Sequence, residues 1–114
     1  CLVPGIPGYS ENITAISIVD KYLEHARVHI YCNGGNELIY LTSADFMTRN
    51  MDNRVEVGFP VYDEDLRKEI RDMINIQLQD NTKAREININ NTNKYHKTPA
   101  GPTRAQLNIY NYLK

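Results

Sequence analysis

The order of secondary-structure signals predicts an α/β fold in which a mixed β-sheet is flanked by helices. Some segments repeat apolar residues every three to four positions, as amphipathic helices do, and others alternate apolar with polar residues, as strands do. The chain has 114 residues, which is enough for one compact domain with a core but not for two. We therefore expect residues 1–114 to form a single domain.

The first predicted helix begins at Ser10 or Asn12, either of which can act as N-cap, and ends near His25. Apolar residues recur in it close to a 3.6-residue period. These residues are Ile13, Ile16, Val19, Tyr22 and Leu23.

A β-hairpin is predicted next. Apolar and polar residues alternate over 28–32, and a Gly34-Gly35 turn leads to the apolar run 38–41. A further strand over 55–59 is expected to end at Pro60, because proline cannot donate to a strand ladder.

The second helix is predicted to begin after Asp63, its N-cap, and to run to about Gln79 with acidic residues in its first turn. One face of this helix carries Leu66, Ile70, Met73, Ile74, Gln77 and Leu78.

The polar stretch 86–102 predicts a long loop with a short strand near Ile87 and Ile89. A capping box of Thr103 and Gln106 predicts a last helix. Its buried residues are expected to be Leu107, Tyr110 and Leu113.

The charge is unevenly distributed along the chain. The net charge of −1 argues against a general nucleic-acid binder. Residues 1–82 carry 13 of the 14 acids, whereas residues 83–114 carry 6 of the 13 lysines and arginines and only Glu86 as an acid. Such a basic region either faces a polyanion or is an ordinary solvated surface, and the charge alone leaves both open.

The cysteines and the N-terminus bear on the cellular compartment. Cys1 and Cys32 are too few for a disulfide framework or a structural zinc site. The chain opens on Cys1 without an initiator Met, a charged leader or an apolar stretch long enough for a signal peptide or a membrane span. We therefore expect a fragment of a longer cytoplasmic protein, in which the sequons at Asn12 and Asn90 arise by chance.

Two features carry chemistry. His25 lies at the predicted end of the first helix, where the dipole favours an imidazolium, although a histidine there is more often a cap or a surface residue. The polar segment 43–54 follows a strand, and its Arg49 and Arg54 have the planar guanidinium geometry that suits phosphate oxygens. The alternative is a surface ion-pair network with the acids of the same region, Asp45, Asp52 and Glu56.

The order of these residues resembles the phospholipase D half-motif, which is His-x-Lys followed after a hairpin by Gly-Ser-x-Asn. Here His25-x-Arg27 precedes the hairpin and Ser43-x-Asp45 follows it, with Arg27, Thr42 and Asp45 as departures. The C-terminal domain of polyphosphate kinases is a closer resemblance and extends over nearly the whole chain. It rests on blocks such as Leu23-Glu24-His25-x-Arg27, Asn33-Gly34-Gly35, Ser43-Ala44-Asp45-x-Met47-x-Arg49-Asn50-x-Asp52-x-Arg54-Val55-Glu56-Val57, Lys83-Ala84-Arg85 and Arg104-Ala105-Gln106.

The resemblance implies a phospholipase-D-like half-domain of an enzyme that reversibly transfers the terminal phosphate of ATP to inorganic polyphosphate. In this family the transfer passes through a phosphohistidine, which the resemblance puts outside this chain together with most contacts to Mg²⁺. It implies that His25 and Arg54 are catalytic and that His25, Arg49 and Arg54 contact the phosphates of ATP. Ser43 and Asp45 are expected to orient His25 and Arg49, and no residue of this chain is expected to bind the metal.

The same resemblance implies the partners. These are ATP or ADP, inorganic polyphosphate, the rest of the kinase chain and further copies of the enzyme in a homo-oligomer, but no nucleic acid. Lys83, Arg85 and Lys97 are expected to line the path of the polyphosphate. The location is expected to be cytoplasmic, with membrane association left open, and the fragment alone is expected to be inactive.

Two other functions stay open at this point. One is a phosphodiesterase of the phospholipase D superfamily, which calls for the Lys and Asn that this sequence replaces. The other is a non-catalytic assembly module, in which His25 and Arg54 only hold a domain interface. Convergence of His25, Arg49 and Arg54 on one solvent-reachable cleft favours the kinase over the assembly module.

Overall fold

The structure, a computed structural model, describes residues 2–99 and 101–114. These residues contain five strands and three α-helices, which confirms the predicted α/β class. The elements in chain order are β1 (Ala15–Ile18), β2 (Val28–Tyr31), β3 (Leu38–Thr42), α1 (Thr48–Asn53), β4 (Gly58–Pro60), α2 (Glu64–Leu78), β5 (Ala84–Ile87) and α3 (Ala105–Tyr112). The strands pair antiparallel, in a two-stranded sheet of order β1-β5 and a three-stranded sheet of order β2-β3-β4. Across these described residues, no helix has both the length and the apolar character that a membrane span needs.

The chain divides into two compact units. The central unit is Glu24–Arg71, and the terminal unit consists of the residues up to Leu23 together with Asp72–Lys114. The single domain expected from the chain length stays a prediction.

The predicted hairpin of the central unit is confirmed. Strands β2 and β3 pair from Val28 opposite Leu41 to Tyr31 opposite Leu38. The turn between them contains Gly34 and Gly35 with φ of 65° and 95°. Residues that have a Cβ rarely adopt this backbone conformation. The turn therefore fixes the register of the β2–β3 hairpin.

The strand predicted over 55–59 is confirmed only in its last part, since β4 begins at Gly58. The residues before it have no regular structure, although one backbone bond extends the ladder: the Ser43 N–H donates to the Val57 carbonyl, whereas the Val57 N–H donates to Ser43 Oγ. Val55 is fully exposed. Pro60 is the last residue of β4, at the edge of the sheet, where its missing N–H costs little.

Two helices belong wholly or partly to the central unit. Helix α2 is confirmed, and Asp63 caps it as predicted, because Asp63 Oδ1 accepts the Leu66 N–H at 3.0 Å. Helix α1 was not predicted. It buries only Asn50, so it has no apolar period for the sequence to reveal.

The prediction of a helix that ends near His25 is wrong. Residues 15–18 form strand β1, and residues 19–27 contain no regular element. Ile16 and Ile18 are β-branched and suit a strand, and β1 pairs with β5 from Ala15 opposite Ile87 to Ile18 opposite Ala84. Val19 and Leu23, two members of the supposed apolar face, are 74% and 94% exposed.

Asp80 organises the terminal unit. Its side chain is fully buried, and Oδ1 accepts the backbone N–H groups of Thr82, Lys83 and Ala84 at 2.7–3.0 Å. Oδ2 accepts the Ala105 N–H at 2.7 Å, so one carboxylate joins the start of β5 to the start of α3. Burial raises the pKa of Asp80, but these hydrogen bonds outweigh burial and hold the pKa below its usual value.

The last helix is present, but its predicted cap and core are wrong. Helix α3 starts at Ala105, and the Thr103 hydroxyl donates to the Gly101 carbonyl instead of capping the helix. The buried residues are Ala105 and Ile109. The residues predicted to be buried, Leu107, Tyr110 and Leu113, are 49–61% exposed.

Two contacts of the helix start explain this arrangement. The Arg104 guanidinium makes hydrogen bonds of 2.8 and 2.6 Å to the buried carboxylate of Asp20. Gln106 exchanges a pair of hydrogen bonds with the backbone of Tyr22. Polar side chains, together with Asp80, therefore set the position of α3 within the terminal unit.

Replacing Asp80 by alanine is expected to open the terminal unit locally. Four backbone N–H groups lose their acceptor, and each buried donor left unsatisfied costs about 1–3 kcal/mol, so we expect a loss of about 4 kcal/mol or more. Hydrogen exchange measured peptide by peptide in the full-length protein checks this at the amides of Lys83, Ala84 and Ala105.

Asp52→Ala is the matched control. Asp52 is an exposed carboxylate of α1, and its removal is expected to change protection by less than about 0.5 kcal/mol. Because the folded pKa of Asp80 is lowered, its contribution is complete above the usual pKa of about 3.9 and is lost as the pH falls through the lowered value. Unchanged exchange in Asp80→Ala at neutral pH contradicts this role.

Candidate functional site

His25 lies in the central unit, three residues before β2, and its side chain is 68% exposed. No helix ends there, so the expectation that a helix dipole favours an imidazolium at His25 is wrong. The ring is instead fixed by a side-chain contact, because Arg27 Nη2 lies 2.7 Å from His25 Nε2.

Arg27 joins His25 to Asp45. Its Nε donates to Asp45 Oδ1 at 2.6 Å, and its Nη2 faces His25. His25 Nε2 and Asp45 Oδ1 are 3.7 Å apart, which is too long for a direct hydrogen bond. Asp45 is therefore linked to His25 through the Arg27 guanidinium.

The ion pair shifts both pKa values in the stabilising direction. The hydrogen bond from Arg27 is the main cause that lowers the pKa of Asp45, against a smaller effect of burial, and the positive charges of Arg27, His25 and Arg49 add to it. The hydrogen bond to Asp45 likewise raises the pKa of Arg27. Both groups are consequently charged at neutral pH.

Glu56 is the second carboxylate of the cluster. It accepts hydrogen bonds from the Ser43 hydroxyl and from Asn50 Nδ2, the latter at 2.8 Å. These two bonds, in that order, lower the pKa of Glu56. Ser43 thus supports Glu56, and its side chain has no hydrogen bond to His25 or Arg49 among the described contacts. Asn50 Oδ1 is buried with no partner in the described part of the chain, so the network can accept one further donor.

Arg49 and Arg54 are exposed at the two ends of α1. The charge of Arg49 acts on Asp45, the charge of Arg54 acts on Glu56, and that of Arg27 acts on both carboxylates. Three guanidinium charges therefore act on two carboxylates, so these five groups together carry one net positive charge. We call these five residues, with His25, Ser43 and Asn50, the histidine–arginine cluster.

Three of its members were not chosen as site residues from the sequence: Arg27, Asn50 and Glu56. Arg27 occupies the lysine position of the half-motif, and Asp45 occupies its asparagine position. These two departures from the motif contact each other. A simultaneous change to an arginine and an aspartate, which can form an ion pair, is the sequence signal that could have identified Arg27. Asn50 and Glu56 gave no comparable signal, since their roles depend on the short helix α1.

The two carboxylates of the cluster already have hydrogen-bond partners, and no group of metal-ligating side chains surrounds them in the described chain. In the ranges 2–99 and 101–114, no group of three or more His, Cys, Asp or Glu side chains is arranged to hold a metal ion. Asp45 and Glu56 already accept hydrogen bonds from Arg27, Ser43 and Asn50. Cys32 is a free, exposed thiol, and Cys1 lies outside the described residues.

A second candidate surface lies in the terminal unit, in a cavity of about 330 Å³ lined by Val19, Lys83, Arg85, Asn93 and Tyr95. The Arg85 guanidinium lies 3.3 Å from the centre of the Tyr95 ring, and its Nη1 donates to the Asn93 carbonyl at 3.1 Å. Lys83 and Arg85, two of the three residues expected to line the polyphosphate path, therefore share one cavity. Lys97 does not line it.

Comparison with known proteins gives consistent matches over nearly the whole chain. The family model described as Polyphosphate kinase C-terminal domain 2 matches residues 1–106. The chain is 50% identical to the polyphosphate kinase of Escherichia coli (strain K12) and 51% identical to that of Vibrio parahaemolyticus serotype O3:K6 (strain RIMD 2210633). Each alignment covers 99% of this chain but only 17% and 16% of those proteins. The crystal structure of polyphosphate kinase from Porphyromonas gingivalis matches with a TM-score of 0.92 at 48% identity, over 99% of this chain and 17% of that chain.

Removal of the Arg27 guanidinium is expected to raise the pKa of Asp45. In Arg27→Gln the main cause of the lowered pKa is gone, so the carboxyl group titrates at higher pH, as NMR of protein labelled at the aspartate carboxyl carbons can follow. The pair stabilises the folded chain above the usual Asp pKa of about 3.9 and loses this effect as the pH falls through the lowered value.

Arg67→Gln is the control for that titration. Arg67 is a guanidinium of the same unit that donates to Glu64 and to the Glu37 carbonyl, away from Asp45. An Asp45 titration that is the same in Arg27→Gln and Arg67→Gln contradicts the proposed origin of the shift.

Proposed function

The chain belongs to the polyphosphate kinase family, and on this premise we propose that its histidine–arginine cluster forms part of the site that reversibly transfers the terminal phosphate of ATP to inorganic polyphosphate. The chain spans 17% of the length of the curated relatives that it matches, so the activity is proposed for the whole protein. The transfer passes through a phosphohistidine outside this chain, and this chain alone is inactive.

The observation that carries the proposal is the chain of contacts from His25 through Arg27 to Asp45, in a unit where the charges of Arg49 and Arg54 act on the same pair of carboxylates. Phosphoryl transfer asks the protein mainly for positioning and for positive charge at the oxygens of the transferred group. Arg49 and Arg54 are exposed and can bind those oxygens through two N–H groups at once. The carboxylates hold the arginines in place and keep most of their charge balanced until the anionic substrate arrives.

In this scheme His25 contacts the phosphates of ATP and donates a hydrogen bond to the oxygen that leaves with ADP. Its 68% exposure leaves the ring accessible to a ligand, as this role requires. Asp45 orients His25 through Arg27, and Ser43 acts one step further away by holding Glu56.

Magnesium accompanies ATP in phosphoryl transfer and neutralises charge on its phosphates. The described residues of this chain provide no cluster of three ligating side chains, and both carboxylates of the cluster already accept hydrogen bonds from protein groups. We therefore propose no step through the metal that involves these residues.

Two other functions are alternatives to the kinase. A phospholipase D phosphodiesterase needs the Lys and Asn of the half-motif, whereas here Arg27 and Asp45 form an ion pair. A non-catalytic assembly module is compatible with the same ion pair and with exposed His25, Arg49 and Arg54, since residues that hold an interface are exposed in the chain taken alone. Substitution in the full-length enzyme separates the kinase from the assembly module.

We further propose that Lys83 and Arg85 bind polyphosphate, the long polyanion that the reaction makes. Their shared cavity supports this, because the stacking of Arg85 on Tyr95 fixes a guanidinium at its wall without neutralising it. Lys97 is exposed and is the less supported member of the original set. ATP or ADP as partners, homo-oligomerisation and a cytoplasmic location are part of the same proposal.

His25→Ala and Arg54→Ala in the full-length enzyme are each expected to reduce the rate of polyphosphate synthesis from labelled ATP by about a hundredfold to a thousandfold. This is the usual cost, about 2.7–4 kcal/mol, of losing one group that stabilises developing charge. The melting temperature is expected to stay close to that of the unmodified enzyme, because both side chains are exposed.

The matched controls are His29→Ala and Arg71→Ala. His29 lies on β2 and stacks on Phe46, and Arg71 pairs with Glu37, so neither contacts the cluster. A near-normal rate in His25→Ala refutes the site. A lost rate together with a collapsed melting temperature favours the assembly module.

Lys83→Glu is expected to weaken polyphosphate binding and to flatten its salt dependence. Each phosphate contact that is removed lowers the slope of the logarithm of affinity against the logarithm of salt concentration by about one. Lys114→Glu is the control, since Lys114 lies over the Tyr110 ring and does not line the cavity. Equal slopes and equal product lengths in the two variants show that the basic region is an ordinary solvated surface.

A further inference from the structure

The contact between Arg27 and His25 determines which ring nitrogen carries the proton. The guanidinium has five N–H donors and no acceptor, so His25 Nε2 must accept the bond at 2.7 Å. If Nε2 carried a proton, two N–H donors would face each other at that distance. The proton of the neutral ring therefore lies on Nδ1.

Arg27 is held in the orientation that enforces this tautomer. Its side chain is mostly covered, with 22% exposure, and its Nε is bound to Asp45 at 2.6 Å. Two different nitrogens of one planar group thus contact Asp45 and His25 at the same time. A lysine has a single nitrogen and cannot reproduce this geometry, which gives a physical reason for arginine at this position.

This arrangement differs from a histidine–carboxylate pair, in which the carboxylate accepts a proton of the ring directly. Here Asp45 Oδ1 is 3.7 Å from His25 Nε2, and Arg27 supplies the donor between them. The ring nitrogen left for a ligand is Nδ1, which carries the proton and has no hydrogen-bond partner among the described contacts.

We propose that Arg27 is a positioning residue that holds His25 as the Nδ1–H tautomer, so that the ring presents Nδ1–H, and not Nε2, to an oxygen of the nucleotide phosphates. The inference rests on the proposed function for its ligand. His25 then acts as a neutral hydrogen-bond donor, and no proton transfer and no bond to phosphorus involves its ring.

Paired substitutions of His25 in the full-length kinase test the choice of nitrogen. An asparagine amide occupies roughly the place of Nδ1, and a glutamine amide reaches roughly the place of Nε2. His25→Asn is expected to make polyphosphate about tenfold faster than His25→Gln, which is the effect of one ordinary hydrogen bond on a rate. The same pair of substitutions at His29, which contacts Tyr31 and Phe46, is expected to give equal rates.

The tautomer itself is read by NMR of the full-length enzyme labelled with ¹⁵N only in histidine, with His25→Ala used to assign the signals. The expected spectrum shows a protonated Nδ1 and an unprotonated Nε2 for His25. In Arg27→Met the carboxylate of Asp45 is free to accept from the ring, so the proton is expected to move to Nε2. The same variant is expected to lose polyphosphate synthesis, and Arg27→Lys is expected not to restore it.

The outcomes separate the two proposals. Equal rates of His25→Asn and His25→Gln, a faster His25→Gln enzyme, or an Nε2–H tautomer in the unmodified enzyme overturns the positioning role of Arg27 and leaves the phosphate contact of His25 standing. A normal rate in His25→Ala instead overturns the proposed function, and the NMR spectrum still reports whether Arg27 sets the tautomer.

Discussion

The hydrogen-bonded ion pair of Arg27 and Asp45 is the interaction on which the candidate site depends. It forms between the residue before the hairpin and the segment after it, so closing the β2–β3 hairpin brings the two partners together. Once formed, it directs one N–H of Arg27 to His25 and keeps a positive charge near both carboxylates. A surface ion pair usually contributes little to stability, so its value here lies in fixing the geometry of other groups.

In the terminal unit a buried carboxylate, that of Asp80, is held by backbone N–H groups and not by an arginine. Asp80 has no guanidinium partner among its hydrogen bonds and is satisfied by four backbone N–H groups, which join the start of β5 to the start of α3. The loop that carries Lys83 is thereby held rigidly, and the cavity with Arg85 and Tyr95 is built on it. In both units, charged side chains that the composition alone would assign to the surface determine where the functional groups lie.

The sequence predicted the parts of the fold that short-range signals control. The hairpin follows from alternation and a Gly-Gly turn, and α2 follows from its period and the Asp63 cap. The helix predicted before His25 does not form, because the isoleucines of this segment fit a helical period by chance. Pairing with the distant β5 makes part of the segment a strand. The prediction of which α3 residues are buried was wrong. Asp80, Asp20 and Tyr22 orient that helix through polar contacts, and no periodicity reveals such contacts. In the site, residue types were sufficient to select His25, Arg49 and Arg54, but the role of Arg27 appears only from the distances to its two neighbours.

The central claim is that the histidine–arginine cluster binds the phosphates of ATP. The most direct measurement is a crystal structure of the full-length enzyme with a non-hydrolysable ATP analogue. The account predicts phosphate oxygens within hydrogen-bond distance of His25 and of the Arg54 guanidinium, with the Arg27–Asp45 pair intact. A nucleotide bound with its phosphates away from the cluster, while His25 and Arg54 contact only protein groups, would contradict it.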